Sequence, residues 1–143
     1  MMEKCRNILE KSEELVISHD EAFQRGLGLI RQKRYEKSIN VFNKIVDKDP
    51  GHTGALFNRG FALLKIEKPE EALDSFNQVL QFEPENFDAL YKKGMALATL
   101  GKFEAALQAY DNALEINPEN PKTWYRKGLA FAELEKIEAS ILC

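Results

Sequence analysis

"YKKGMALATLGKF", residues 91–103, carries two glycines, Gly94 and Gly101, inside an otherwise helix-favouring run. Gly101 follows Leu100 and suits a helix end, where a left-handed residue lets the chain turn away. Gly94 is harder to place. It sits between Lys93 and Met95, where alanine would favour a helix by about 0.8–1 kcal/mol. A glycine kept at that cost has a structural reason, and the rest of the chain supplies it.

Stepping 34 residues back from Gly94 reaches Gly60 and then Gly26; stepping forward reaches Gly128. Other positions keep the same step: Phe23, Phe57, Tyr91 and Tyr125; Leu29, Leu63, Leu97 and Phe131; Phe42, Phe76 and Tyr110; Pro50, Pro84 and Pro118. Ser38, Ala72, Ala106 and Ser140 form a column of small residues. Within one unit, Leu90, Tyr91, Gly94, Leu97 and Ala98 share one helical face, and Phe103, Ala106, Leu107, Tyr110, Ala113 and Leu114 share another. Only Gly101 and Lys102 separate the two faces, and a link that short sets the helices antiparallel and adjacent. Gly26, Gly60, Gly94 and Gly128 are therefore expected where a neighbouring helix approaches too closely for a Cβ.

The punctuation predicts the elements. Asn120 caps a helix with Pro121 at its first position, Ser18 and Glu21 form a capping box, and Pro69 opens a second helix. Pro50, Pro84 and Pro118 stop helices, because the residue before proline is pushed out of the helical region. An N-terminal helix near 3–17 is expected to cap the array through Cys5, Ile8, Leu9, Leu15 and Val16. Helix pairs follow at 19–32 with 35–48, 53–66 with 69–82, 87–100 with 103–116, and 121–134 with a stub from 137. The expected organisation is a cap at 1–18, units at 19–52, 53–86 and 87–120, and a partial unit at 121–143. A second helix as short as that stub is marginal on its own. Phe131, Ile137, Ile141 and Leu142 would be under-covered, which suggests either a piece of a longer array or self-association of the C-terminal end with a second copy.

These columns resemble the tetratricopeptide repeat, a 34-residue helix–turn–helix unit, over everything after the first 18 residues. The resemblance implies an all-α, right-handed superhelix (an α-solenoid) of antiparallel helix pairs, about three and a half repeats with an N-terminal capping helix. One departure is consistent: Arg25, Arg59, Lys93 and Lys127 stand where the family usually has leucine before the glycine. Asp47 and Glu115 on neighbouring helices are candidate partners for that column.

The resemblance also implies a concave groove lined by the first helix of each repeat. Carried onto this sequence, its floor holds Phe23, Phe57, Tyr91 and Tyr125, with Leu27, Phe61, Met95 and Leu129. Asn58, Lys92 and Arg126 fall in the intervening column, Leu64 deeper in, and Lys122, Arg31 and Lys65 at the margins. Such a groove would take a peptide or helix on its apolar and aromatic residues, with Lys92, Lys122 and Arg126 steering acidic groups or a C-terminal carboxylate. The family's carboxylate clamp is not reproduced. From the first repeat the chain offers Phe23, Leu27, Asn58, Asp88 and Lys92, of which Asn58 alone fits; from the second it offers Phe57, Phe61, Lys92, Lys122 and Arg126, of which the last two fit.

Other function classes find less support. With 20 basic and 23 acidic residues the chain has no concentrated positive field, which disfavours nucleic acid, including an RNA-binding helical repeat, and an anionic membrane surface. No 18-residue apolar stretch suggests a membrane span. Cys5 and Cys143 lie at opposite ends without a CxxC pattern and read as reduced thiols in a cytoplasmic protein. His19 and His52 fall at repeat junctions, His52 in the N-cap column and His19 one position after it; they are too far apart for shared metal ligation and read as solvated. Glu13–Glu14, Glu70–Glu71 and Asp111–Glu115 fit solvated helix faces, and no GxxxxGK[ST], GxGxxG or HExxH occurs. The expectation is a non-catalytic protein–protein interaction module without cofactor or metal. The alternative is the structural or regulatory repeat segment of a larger enzyme or assembly factor.

Overall fold

The computed structural model describes residues 20–142, and among them every regular element is a helix. Helix α1 spans 20–31; α2 Tyr35–Lys48, α3 Thr53–Lys65, α4 Pro69–Phe82, α5 Phe87–Thr99, α6 Phe103–Ile116 and α7 Pro121–Leu142 follow. The expected capping helix and its apolar residues, Ser18 of the capping box, His19 and both cysteines lie outside the described residues.

Local chemistry sets the boundaries. The first helix of each later repeat is capped by a side chain that accepts a backbone N–H three residues on. His52 Nδ1 takes that of Ala55, Asn86 Oδ1 that of Ala89 and Asn120 Oδ1 that of Thr123, each at 3.0 Å. Pro69 occupies the first turn of α4, where its missing N–H costs nothing. The turns inside the repeats share one device: Lys33, Glu67 and Gly101 all adopt left-handed backbone, with φ of 60°, 61° and 77°. Only glycine takes that conformation without strain, so Lys33 and Glu67 are held there by the helices docking on either side.

Each first helix packs on its own second helix, and each second helix on the next first helix. Successive first helices also approach closely, α3 with α5 and α5 with α7, whereas the second helices α2, α4 and α6 stay farther apart from one another. The array therefore curves with its first helices on the inner side. Its core is a ladder of rings: Phe42, Phe76 and Tyr110 of the second helices are fully buried. Each lies on the glycine of its own first helix. A Cβ on Gly26 would come 2.5 Å from the ring of Phe42, and one on Gly60 2.7 Å from that of Phe76. The glycine column makes room for an aromatic ring.

Two expectations fail at the C-terminal end, for one reason. Gly128 has nothing within 4 Å of where its Cβ would be, because no second-helix ring reaches it. The expected break at 135–136 and the stub from 137 are also absent: α7 runs unbroken through Leu142. A turn there would force Glu135 left-handed, as it does Glu67. With no packed second helix to offset that strain, the helix-favouring run "AELEKIEAS" stays helical.

Candidate functional site

The inner face brings the expected groove residues together, with different degrees of freedom. Phe23, Phe57 and Tyr91 are half-buried because each tilts against the ring below it, at 6.1 Å from Phe42, 5.7 Å from Phe76 and 6.1 Å from Tyr110. Part of this stripe is thus core. Leu27, Phe61, Leu64 and Met95 are half-buried along the same face. Towards α7 the face opens: Lys122, Tyr125, Arg126 and Leu129 are all exposed. Asn58 is committed within its own helix, its Nδ2 donating to the carbonyl of Gly54 at 2.8 Å.

The centre of the face is cationic and built around Phe61. Lys92 Nζ lies 5.2 Å from the Phe61 ring centre and 5.9 Å from that of Tyr91; Lys65 Nζ approaches Phe61 at 5.4 Å. Cations gain from the electron-rich face of an aromatic ring, so Phe61 holds two lysines that would otherwise splay apart. The Lys92 ammonium is held below its ordinary value, first by burial and then by the fields of Lys65, Arg126 and Lys122, with Asp88 working in the opposite sense. Lys65 of α3 and Lys92 of α5 therefore converge on one apolar ring, and the charges of Lys122 and Arg126 on α7 act on Lys92. Lys65, which the sequence pattern put at the margin, is exposed and reaches the Phe61 ring. Its place one helical turn after Phe61 was the available signal.

The basic column that departs from the family pattern faces the other way. Arg59 Nε donates to Ser75 Oγ at 3.0 Å and Nη1 to Asn43 Oδ1 at 3.2 Å, so one side chain ties α3 to both flanking second helices. Burial lowers its pKa, with Asp47, Asp74 and Glu71 opposing. Lys127 pairs with Asp111 at 2.6 Å, not with Glu115. His52, expected to be solvated, is a half-buried cap whose ring packs 5.0 Å from that of Phe23. Among the described residues no group of three or more His, Cys, Asp or Glu side chains is placed to hold a metal, and no helix is long and apolar enough to cross a membrane.

Known proteins share this architecture. A family model described as tetratricopeptide repeat matches residues 23–87, 57–121 and 91–142. No curated protein sequence matches the chain. Among solved structures, the second TPR domain of human RPAP3 in complex with the HSP70 peptide SGPTIEEVD is similar at TM-score 0.73 and 27% identity, covering 80% of this chain and 92% of that one. The first TPR of Spaghetti (RPAP3), bound to the HSP90 peptide SRMEEVD, is similar at TM-score 0.79 and 23% identity over 82% of this chain and 93% of that one. The Sgt2 TPR domain from Aspergillus fumigatus reaches TM-score 0.78 at 18% identity, over 85% and 82%.

Proposed function

The chain belongs to the tetratricopeptide repeat family, and on that footing we propose that it is a non-catalytic interaction module holding an acidic peptide on its inner face. The observation that carries this is the approach of Lys65 and Lys92 to the ring of Phe61, with Lys92 also under the positive fields of Lys122 and Arg126. A half-buried ammonium among like charges, as Lys92 is, gains from a nearby anion, so the site favours a carboxylate-bearing partner. The human RPAP3 domain, similar in fold at 27% identity, is in complex with a peptide whose last four residues, EEVD, include three acids. Here Phe57 and Phe61 occupy two positions that a carboxylate clamp would fill with polar groups. The ligand of this groove accordingly combines acidic groups with an apolar side chain seated against Phe61 and Met95.

The test is a fluorescence-polarisation titration of labelled acidic nonapeptides, SGPTIEEVD among them. Phe61→Ala or Met95→Ala is expected to weaken binding by about 1–3 kcal/mol while helicity by circular dichroism is unchanged. Wild-type affinity in both variants, or no binding to any acidic peptide, would remove the groove from consideration.

A further inference from the structure

The inner face carries both signs of charge, and its acidic part has a cavity of its own. Beside the half-buried ring of Phe57 lies a cavity of about 200 Å³ between α3 and α5. Thr53, Gly54 and Phe57 of α3, Glu83 and Asn86 of the intervening turn, and Asp88 of α5 line it. Sites for whole small molecules are larger, about 300–1,000 Å³, so this one suits a single side chain of a longer ligand.

Its chemistry selects the sign of that side chain. Thr53 Oγ1 donates to Glu83 Oε1 at 3.4 Å and Asn86 Nδ2 to Glu83 Oε2 at 3.0 Å. These neutral donors orient the carboxylate and leave its charge in place. Among the described residues neither Glu83 nor Asp88 forms an ion pair. Two carboxylates without a cation thus stand against an aromatic wall, and a lysine or arginine side chain gains from both.

The spacing to the basic centre is set by the helices. Phe57, Phe61 and Lys65 follow one another at four-residue steps along α3, and Asp88 and Lys92 are one such step apart on α5. Four helical residues rise about 6 Å. An extended segment presents every second side chain on one face, about 6.6 Å apart. Short peptides do not hold a helix in water, so an extended ligand is the fitting one.

We infer, on the footing that the inner face takes an acidic peptide, that this peptide carries both signs of charge. A lysine or arginine enters the Phe57 cavity against Glu83 and Asp88, and an acidic residue two places along meets Lys92 and Lys65. A wholly acidic segment laid over the same face would set carboxylates against Glu83 and Asp88, so the cavity also selects among acidic peptides.

Fluorescence polarisation of the full chain with three labelled acidic nonapeptides tests this. They differ only in one lysine, placed two residues from a fixed glutamate, placed next to it, or replaced by glutamine. The spaced peptide is expected to bind about five- to ten-fold more tightly than the glutamine peptide, and the adjacent one without that gain. In Glu83→Gln combined with Asp88→Asn the gain should vanish, while affinity for the glutamine peptide does not fall. Both side chains are exposed, and circular dichroism checks that the variant is folded. No gain from the spaced lysine, an equal gain from the adjacent one, or a gain that survives in the double variant overturns the inference and leaves the acidic-peptide reading standing. Binding by none of the three peptides overturns both.

Discussion

Gly94 lies directly beneath the ring of Tyr110, so that a Cβ on it would fall 2.6 Å from the ring's Cδ1. Real Cβ atoms do not approach that closely, and Tyr110 is too enclosed to step aside. Gly94→Ala is therefore expected to destabilise the fold by about 1–3 kcal/mol, despite the gain in helix propensity. Gly128→Ala is expected to do the opposite, stabilising α7 by up to about 1 kcal/mol, since a Cβ there meets nothing within 4 Å. Thermal denaturation of the two variants side by side checks the pair of signs.

Tyr110 is the one tyrosine in a column otherwise filled by Phe42 and Phe76. Burial, with a smaller push from Tyr91 and against the pull of Arg126, raises its phenol to about 12 from an ordinary 10.0. The folded state thus holds this proton more tightly than the unfolded state. The resulting stability is fully present below pH 10.0 and is lost as pH climbs towards about 12. Tyr110→Phe should unfold at higher pH than the wild type, by a margin worth roughly 2–3 kcal/mol at the alkaline end, with little change at neutral pH. Alkaline titrations followed by circular dichroism compare the two.

Lys92 works in the opposite sense. Its lowered pKa means that the charged ammonium is less at ease in the folded groove than in the unfolded chain. The cost is present at neutral pH and is relieved as pH rises through the folded value towards 10.5. Lys92→Met is expected to raise the melting temperature at pH 7 while weakening acidic-peptide binding about ten-fold. Peptide affinity of the wild type should fall in the same alkaline range, because a bound carboxylate favours the protonated lysine.

Arg59 holds neighbouring repeats together through Ser75 and Asn43. Its planar fork reaches both oxygens at once, which a lysine cannot do. Arg59→Lys is expected to cost about 1–2 kcal/mol in urea denaturation, and the same change at the exposed Arg25 next to nothing.

The helical architecture was legible because its determinants are local and repeated. Pro50, Pro84 and Pro118 announced helix ends, and the bounds of α2, α4 and α6 follow the pattern to the residue. Gly94 was legible as a close approach, but not what approached it, since a ring from another helix leaves no mark beside the glycine. The end of α7 misled because Glu135 occupies a turn column whose left-handed conformation is affordable only when a second helix docks. The cationic centre was half legible: Lys92, Lys122 and Arg126 share the groove columns, whereas Lys65 enters through its contact with Phe61, a matter of side-chain direction. The N-cap place of His52 was legible from its column, whereas the packing of its ring against Phe23, a contact across repeats, was not.

The location of the binding face is the claim on which the functional account stands. Backbone amide shifts on titration with SGPTIEEVD, followed by ¹H–¹⁵N correlation spectra, test it most directly. The expected perturbations concentrate at Phe57, Phe61, Tyr91, Lys92 and Met95 and extend to Arg126. Perturbations confined to the second helices, around Asn43, Ser75 and Asp111, would contradict it.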